Sequence, residues 1–287
     1  MTKDKFLTIF TPTYNRAQTI PRLYESLVNQ TLKDFEWLIV DDGSTDDTEE
    51  LIQSYIQENR LNIRYYKQKN QGKHIAYNTS LKYVDTEFMV TLDSDDYYVN
   101  NAVSILYELS NEVRNKEDFG GFSYIHFSED LKIDFAKYGQ KRFTELTQYD
   151  WEYKGEMAYI FKSSIAKQFP FPVFEDEKFC QESVIFIPMM MKYKILYTDY
   201  VLARGEYMED GLSQNLYRRM LKNPKYAMLS LKKKIYFSND KSEKIKLSKM
   251  FWDIVLKTQP KYKLISFSTQ IPLYYTIKAL LPIFKGD

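Results

Sequence analysis

Three carboxylates crowd into four positions at the end of a short apolar run. The stretch Val90–Asp96 reads V-T-L-D-S-D-D, so that Asp93, Asp95 and Asp96 follow the apolar residues directly. Unneutralised acids at this density repel one another, and a hard divalent cation with oxygen ligands removes that repulsion. Such a cation commonly holds phosphates as well. The pattern therefore indicates either a metal–phosphate site or a solvated acidic turn.

Two further polar clusters end apolar segments in the same way. Thr11–Arg16 (T-P-T-Y-N-R) follows Phe6–Phe10, and Asp41–Ser44 (D-D-G-S) follows Glu36–Val40. Because proline ends ladder pairing, Pro12 predicts that the first strand stops before this loop. All three clusters are thus predicted at the carboxyl ends of strands.

The elements that position these clusters alternate between strand and helix. The predicted strands are Phe6–Phe10, Glu36–Val40, Ile63–Tyr66 and Phe88–Leu92. Three helices are predicted between them. The first begins after Thr19 and has Pro21 in its first turn, the second begins after a cap at Ser44 or Thr45, and the third spans Ile75–Val84. This order is typical of βαβ units in a mostly parallel sheet, whose ligands bind beyond the carboxyl ends of the strands. The three polar clusters are therefore expected to converge on one crevice.

Composition indicates a folded chain. Its 287 residues are 44% hydrophobic and 28% charged, enough for one large domain or a domain with an appendage. The amino-terminal residues have no signal-peptide pattern, and no apolar run reaches the length of about 18 residues typical of a spanning helix. The single cysteine, Cys180, suits a reducing compartment. A cytoplasmic location is expected.

Charge divides the chain into two parts. Residues 215–287 hold 16 lysine and arginine residues against four acidic ones, which leaves 24 basic and 35 acidic residues in 1–214. The tail is predicted to be helical, and it places lysines beside aromatic clusters such as Met250-Phe251-Trp252. Such a composition suits peripheral contact with an anionic membrane surface, at the cytoplasmic face. Packing against the acidic part or in a homodimer is the alternative, and no nucleic-acid motif is present.

Common nucleotide-binding motifs are missing. No G-x-G-x-x-G follows the first strand, which disfavours a dinucleotide dehydrogenase, and no G-x-x-x-x-G-K-[ST] of a P-loop enzyme occurs. The first loop also lacks the glycine- and arginine-rich stretch expected of a sugar-nucleotide pyrophosphorylase. A nucleotide site built from carboxylates and a metal is the interpretation that is left.

Four motifs together resemble glycosyltransferase family 2. They are T-P-T-Y-N-R (11–16), N-Q-T-L-K-D-F-E-W-L-I-V-D-D-G-S-T-D-D-T (29–48), N-Q-G-K-H-I-A-Y-N-T-S (70–80) and L-D-S-D-D (92–96). The resemblance covers roughly the first hundred residues. It implies the GT-A fold, a Rossmann-like, mostly parallel sheet with flanking helices, here with a helical C-terminal extension. The expected domains are 1–214, with nucleotide-sugar binding in 1–100 and the acceptor side in 101–214, and the tail 215–287.

This resemblance implies inverting transfer of a sugar from a nucleotide donor, usually a UDP-sugar, with Mn²⁺ or Mg²⁺. The acceptor is expected to be a saccharide or lipid-linked saccharide of a bacterial capsule, exopolysaccharide or lipopolysaccharide. By the same resemblance, Asp95 ligates the metal. The predicted donor-binding residues are Thr11, Pro12, Tyr14, Arg16, Asp42, Gly72, Lys73, Asp93, Ser94 and Asp96.

The family pattern also implies individual roles. Asp42 would accept a hydrogen bond from uracil, while Asp41 supports the turn. Asp93 would lie near the ribose or donor sugar, Asp95 would bridge to the two phosphates through the metal, and Asp96 would orient the sugar or the water shell of the metal.

The loop before the third helix is the next candidate. Gly72 permits a tight loop, and Lys73 offers a cation for a diphosphate. An ordinary loop-to-helix junction with a solvated lysine is the alternative. For His74, a polar contact near the donor is favoured over a metal role, because no cysteine or second histidine accompanies it.

Direct displacement needs a general base, and a carboxylate at a desolvated sugar site suffices. In the family this base commonly lies in an E-D pair before a helix in the second half. The candidates are Glu175–Glu177 and Gln181–Ser183. Glu182 is the predicted base, with Ser183 where the pattern usually has aspartate, whereas Glu175–Glu177 is interpreted as a flexible acidic loop. A helix-start acid favoured by the helix dipole is the alternative for Glu182.

Three further residues are weaker candidates. Asp210 or Glu206, after a strand predicted over Ile195–Leu202, could supply a further metal ligand, and an ordinary Asp-Gly turn is the alternative. Trp151 is a candidate acceptor-site aromatic or a core residue. Two rival functions also stay open: a nucleotidyltransferase on a related sheet, and a catalytically silent nucleotide-binding scaffold.

Overall fold

The computed structural model describes residues 5–128, 156–205, 215–260 and 263–285. The chain divides into two compact units, Met1–Pro170 with Lys192–Gly211 and Phe171–Met191 with Leu212–Asp287. This division differs from the predicted boundary after residue 214. The segment Phe171–Met191 groups with the C-terminal helices because its polar and aromatic residues contact α8 (Pro224–Phe237).

Four parallel strands form one half of the sheet of the first unit, and three of them lead into the polar clusters. The four are β1 (Leu7–Thr13), β2 (Phe35–Asp41), β3 (Ile63–Lys67) and β4 (Phe88–Thr91), in the order β3-β2-β1-β4. The helices that connect them are α1 (Ile20–Val28), α2 (Thr48–Glu58) and α3 (Lys73–Ser80). Both β1 and β2 are buried along their whole length, as expected of central parallel strands. The predicted βαβ units are confirmed.

Beyond β4 the sheet is mixed. The further elements are β5 (Asp96–Tyr98), α4 (Ala102–Val113), β6 (Phe119–Ser128), β7 (Met157–Lys162), α5 (Ser163–Ala166), β8 (Lys194–Leu196) and β9 (Val201–Gly205). Strand β7 pairs antiparallel with β4 and β6, while β9 pairs parallel with β6 and antiparallel with β5. The single strand predicted over Ile195–Leu202 is two strands, because β8 and β9 pair with successive halves of β6.

The first strand runs through Pro12, so the prediction that it ends before this residue is wrong. Strand β1 pairs with β2 through Thr13 but with β4 only through Phe10, whose carbonyl accepts the N–H of Leu92. Backbone groups alternate between the two neighbours along a strand, so position 12 faces the β4 side beyond the last pair. A missing N–H breaks no ladder bond there.

Gly121 lies where β6 and β7 approach too closely for a side chain. A Cβ at this position would lie 1.8 Å from the carbonyl oxygen of Ile160. We expect Gly121→Ala to lower the free energy of unfolding by about 1–3 kcal/mol, the usual cost of overpacking. Urea denaturation measures this, with Gly120→Ala as the control, whose Cβ would meet the side chain of Tyr193 at 2.9 Å. An alanine at 121 that costs less than one at 120 would contradict this expectation.

The second unit has its own helical core. Its helices are α6 (Ser183–Lys192, of which the last residue belongs to the first unit), α7 (Leu216–Lys222), α8, α9 (Lys241–Thr258), α10 (Leu264–Ser268) and α11 (Leu273–Lys285). Phe251 and Trp252 lie inside this core, 0% and 3% exposed. Their predicted place on an exposed membrane-binding surface is wrong, because α8, α9 and α11 bury their apolar stripes against one another.

Prolines only partly mark the helix breaks of the C-terminal region. Pro272 directly precedes α11, whereas α11 continues past Pro282. Among the helices that the structure describes, none combines the length and the apolar character needed to cross a bilayer.

Candidate active site

The acidic cluster is a tight turn between β4 and β5. The N–H of Asp96 donates to the carbonyl of Asp93 at 3.1 Å, directly after the last ladder bond, between Leu92 and Phe10. This turn brings carboxylate oxygens of Asp93, Asp95 and Asp96 within 4.8 Å of one another. All three side chains are half-buried. They lie at the carboxyl end of a strand, where parallel sheets bind their ligands.

One cation reaches the cluster from the start of α3. Lys73 Nζ lies 2.8 Å from Oδ2 of Asp93, and Gly72 precedes it with a φ of 102°, which favours glycine. Oδ1 of Asp93 is buried and has no hydrogen-bond partner among the described residues. A buried carboxylate oxygen without a donor is costly. This atom is therefore a place where a cation or a ligand hydroxyl would bind favourably.

Burial and mutual repulsion make the charged state of this cluster costly. Burial raises the pKa of Asp95, and the neighbouring Asp93 carboxylate raises it further. Burial also raises the pKa of Asp96 to about 6, against the opposing effect of His126. A divalent cation would stabilise the ionised form of all three acids. Hard carboxylate oxygens suit Mg²⁺ or Mn²⁺, so the residues present fit the predicted metal.

Asp96 has partners that the sequence pattern does not predict. His126 of β6 places Nε2 2.9 Å from Oδ1 of Asp96, and its Nδ1 lies 3.6 Å from Oε2 of Glu156. Although burial opposes it, contact with Asp96 raises the pKa of His126. A Cβ on Gly205 of β9 would lie 2.1 Å from Oδ1 of Asp96. In the sequence, the one signal of this contact was a glycine at the end of a strand, because such a glycine often marks a place where another group approaches the backbone closely.

Arg22 of α1 holds the acidic turn and was also missed. Its guanidinium donates to the carbonyl of Asp95 at 2.7 Å and lies 4.7 Å from the centre of the Tyr97 ring. It thus contacts the residues on both sides of Asp96. In sequence, nothing distinguishes this arginine from an ordinary solvated residue of an amphipathic helix.

We expect Arg22→Gln to weaken metal-dependent nucleotide binding by about tenfold or more, because the lost charge-assisted hydrogen bond is worth about 1.5–3 kcal/mol. Titration of Mn²⁺ at a fixed concentration of UDP measures the effect. Arg60→Gln is the control, since Arg60 is an exposed arginine paired with Glu25 and Glu58. An unchanged Mn²⁺ requirement in Arg22→Gln would show that the turn keeps its shape without this contact.

The two acids after β2 have different partners. Asp41 is fully buried, and its Oδ1 accepts the N–H of Ser44 at 2.7 Å, a contact that supports the turn. Asp42 accepts the N–H groups of Gln71 and Gly72 at 2.8 and 2.7 Å. Asp42 therefore ties its loop to the one that carries Lys73. A contact between Asp42 and uracil stays a prediction.

The residues after β1 differ in how much surface they offer. Thr11 and Pro12 are buried, and the Thr11 hydroxyl accepts the indole N–H of Trp37 at 2.9 Å. Tyr14 is 45% exposed, and Arg16 is half-buried. Arg16 also acts electrostatically on the carboxylate of Asp95. Of this set, Tyr14 and Arg16 have side-chain surface for a ligand, and nucleotide contacts by all four stay predictions.

The loops after β1 and β2 are joined by hydrogen bonds. Asn15, with a φ of 51°, accepts the N–H of Thr45 at 2.8 Å, and its own N–H donates to Oγ of Ser44 at 2.9 Å. Because Ser44 bonds across to this loop, it does not cap a helix. The predicted cap at Ser44 or Thr45 is wrong, since Asp47 is the N-cap and α2 begins at Thr48.

The other predicted donor-side residues are buried or lie outside the description. Ser94 and His74 are 5% and 2% exposed. The positions of Trp151, Glu206 and Asp210 lie outside the described residues. Their roles stay predictions.

Glu182 lies in the second unit, directly before α6. Its carbonyl accepts the N–H groups of Ile185 and Phe186 at 3.0 and 2.9 Å, so the predicted helix start is confirmed. Burial lowers the pKa of Lys234, and the charge of Glu182 opposes that effect. The two side chains therefore interact. The role of Glu182 as a base stays a prediction.

The segment Glu175–Glu177 is not simply a flexible acidic loop. Glu177 is 4% exposed and accepts the N–H groups of Lys225 and Tyr226 at 2.8 and 3.0 Å. These are among the first N–H groups of α8, which lack partners within the helix. Asp176 pairs with the Lys225 ammonium at 2.6 Å. Glu177 therefore stabilises the start of a helix.

Known proteins of similar sequence and structure indicate that the chain is a glycosyltransferase. A Campylobacter jejuni protein named GalNAc(5)-diNAcBac-PP-undecaprenol beta-1,3-glucosyltransferase is 28% identical over 248 residues, which are 83% of this chain and 78% of that protein. S. aureus TarS in complex with UDP aligns with a TM-score of 0.61 at 19% identity, covering 93% of this chain and 76% of that one. The mannosyltransferase PcManGT from Pyrobaculum calidifontis, in complex with GDP-Man and Mn²⁺, aligns with a TM-score of 0.58 at 16% identity, covering 98% and 87%.

The structural neighbours show the fold, and the family model shows the family. The predicted GT-A fold is confirmed as a mixed sheet with flanking helices and a C-terminal helical region. The family model described as Glycosyl transferase family 2 matches residues 8–169, more than half of the chain. With the C. jejuni relative and the acidic turn at the end of β4, this match makes the conclusion direct: the chain belongs to glycosyltransferase family 2 and is a glycosyltransferase.

Proposed function

We propose that this enzyme moves a sugar, with inversion, from a UDP-sugar to a saccharide or lipid-linked saccharide of a bacterial surface polysaccharide. The observation that carries the proposal is the group of three carboxylates within 4.8 Å of one another, with Lys73 beside Asp93. Asp95 would hold Mn²⁺ or Mg²⁺ there. The expected product is a repeat unit of a capsule, an exopolysaccharide or a lipopolysaccharide.

Positive groups around the turn would bind the donor diphosphate. A nucleoside diphosphate gains negative charge as the glycosidic bond breaks, and a bound divalent cation stabilises that charge as a Lewis acid. Lys73 and Arg16 both act electrostatically on Asp95. Each would therefore also attract a phosphate oxygen bound beside that carboxylate.

The joined loops after β1 and β2 would bind the nucleoside. Tyr14 has an exposed ring on which a base can stack. Asp42 accepts the backbone N–H groups of Gln71 and Gly72 and the side-chain N–H of Gln68. Because a carboxylate offers about four lone-pair sites, one site is left that can accept the uracil N–H. Thr11 and Pro12 would form the wall behind the base. Asp93 and Asp96 would orient the ribose or the donor sugar.

The chemical step is a direct displacement. The acceptor oxygen bonds to the anomeric carbon, the bond from that carbon to the phosphate oxygen breaks, and the nucleoside diphosphate leaves. Glu182 would take the proton of the acceptor hydroxyl. In this division of work, residues 1–100 bind the donor and residues 101–214 the acceptor.

The name of the C. jejuni relative supports a lipid-linked acceptor. That name describes transfer to a saccharide on PP-undecaprenol. For the present chain, a lipid-linked saccharide would place the reaction at the cytoplasmic face of a membrane.

A panel of UDP- and GDP-sugars with Mn²⁺, repeated with EDTA, tests the proposal through thermal unfolding and nucleotide release. We expect one UDP-sugar to raise the Tm only with the metal and to release UDP slowly without an acceptor. A response to GDP-sugars alone would show that the donor nucleotide is GDP and not UDP. Pyrophosphate-dependent UTP formation would indicate a nucleotidyltransferase, and nucleotide binding without release would indicate a silent scaffold.

A further inference from the structure

Helix α11 exposes an apolar stripe although its other side is buried in the core of the second unit. Leu273, Ile277 and Leu281, spaced by four residues, are 66%, 47% and 41% exposed. On the opposite side Ala279 is buried, at 4% exposure, within the core formed with α8 and α9. Residues four apart lie on one face of a helix, so the exposed side chains form a continuous strip.

Lysines border this strip through aromatic contacts. The Lys241 and Lys278 ammonium groups lie 5.1 and 6.0 Å from the ring of Tyr274, which is 44% exposed. The Lys244 ammonium lies 5.8 Å from the ring of Tyr275. Two of the lysines come from the start of α9, so two helices contribute positive charge beside one apolar stripe. This arrangement suits a surface with an apolar interior and an anionic rim.

The dimensions and the charge indicate which surface that is. Helix α11 has 13 residues, which corresponds to a length of about 20 Å, shorter than the hydrocarbon core of about 30 Å. Over its described length it is too short to cross a bilayer and can lie in the interface. Residues 215–287 also carry 16 basic against four acidic residues. A negative partner is therefore favoured over a second copy of this same basic region.

We propose that the face of α11 formed by Leu273, Tyr274, Ile277, Lys278 and Leu281 docks on an anionic lipid bilayer, with the helix axis parallel to the membrane. The apolar side chains enter the interface between headgroups and acyl chains, and Lys241, Lys244 and Lys278 bind lipid phosphates. The exposed face is independent of the proposed function, but the reason for the enzyme to dock there rests on the proposed transfer to a lipid-linked acceptor.

The apolar part is tested with the full chain and vesicles of phosphatidylcholine mixed with phosphatidylglycerol. We expect the double variant Leu273→Ser/Ile277→Ser to bind these vesicles in sedimentation at least about tenfold more weakly, since several buried CH₂ and CH₃ groups are lost from the interface. Met191→Ser is the control, because Met191 on α6 is as exposed as Leu273, at 66%. Equal binding of the double variant and the wild type would overturn the proposal.

The charged part is tested by Lys241→Gln/Lys244→Gln/Lys278→Gln. Each lysine near an anionic surface contributes about 1 kcal/mol, so the triple variant should bind about 100-fold more weakly at low salt. The matched control replaces three exposed lysines of the first unit, Lys82, Lys116 and Lys167, by glutamine. Equal losses in both triple variants would mean that overall charge acts, and would overturn the assignment to this face.

Further measurements separate this inference from the proposed function. Light scattering should find the same oligomeric state for the wild type and for Leu273→Ser/Ile277→Ser. If the wild type were a dimer and the double variant a monomer, the apolar stripe would be a dimer interface, and the proposal would be overturned. UDP release without acceptor should be equal in all these variants. Vesicle binding without any UDP release would overturn the proposed function and leave the membrane-docking proposal intact. UDP release without vesicle binding would overturn the membrane-docking proposal and leave the proposed function intact.

Discussion

Replacement of Asp95 by asparagine is expected to remove the metal-dependent part of UDP binding. Asparagine keeps the size of the side chain and the turn, but it lacks the charge that attracts a divalent cation. Even residues that only support metal ligands are worth about 10- to 100-fold in affinity, so loss of a ligand should cost about 100-fold or more. Burial raises the pKa of Asp95, so the uncharged side chain should not destabilise the turn.

Isothermal titration of UDP with Mn²⁺ and with EDTA measures this effect. Asp118→Asn is the control, because Asp118 is an exposed acid that pairs with Lys194 at 2.9 Å, directly before β6. The control should retain the full difference between Mn²⁺ and EDTA. If Asp95→Asn also retained it, Asp95 would not be the metal ligand, and Asp93 with Asp96 would be the next candidates.

Replacement of Glu182 by glutamine is expected to abolish sugar transfer while donor binding survives. A general base contributes about 10²- to 10⁴-fold to a rate, and glutamine cannot accept the proton. The helix start should persist, because the contacts of Glu182 with Ile185 and Phe186 are made by its backbone carbonyl. Removal of the Glu182 charge should leave Glu243 as the carboxylate that acts on the partly buried Lys234, so we expect thermal unfolding to show a modest loss of stability.

Transfer to an acceptor and thermal stabilisation by the donor must be measured on the same preparations. Glu175→Gln is the control, since Glu175 lies in the neighbouring acidic segment and carries no predicted chemical role. We expect the Glu182 variant to lose turnover with its donor affinity unchanged, and the Glu175 variant to keep both. A Glu182→Gln enzyme with normal turnover would place the base on another residue.

Most of the parallel half of the fold was predictable from the sequence. The predicted strand Glu36–Val40 lies within the observed Phe35–Asp41, because a central parallel strand is buried on both faces and reads as an unbroken apolar run. The errors concern elements whose limits depend on a neighbour. Pro12 stays in β1 because β4 has already ended beside it, and no local pattern contains that information.

The site was predictable to the same degree. The acidic turn could be found because its residues are adjacent in sequence and follow a strand. Arg22 and His126 could not, because their significance comes from contacts with Asp95 and Asp96 that only the folded sheet creates. Arg22 lies on α1 and Asp95 in the turn between β4 and β5, 73 residues apart in the chain.

Local sequence patterns were enough to identify the family, the order of the four parallel strands and the helices between them, and the positions of the acidic turn and of Lys73. This was possible because apolar periodicity and short motifs are local properties of the chain. The tertiary structure decided which side chains surround each carboxylate, that Phe251 and Trp252 are core residues, and that α11 keeps an apolar face exposed. These properties depend on which surfaces cover one another, and burial and contact between distant segments are set only when the whole chain packs.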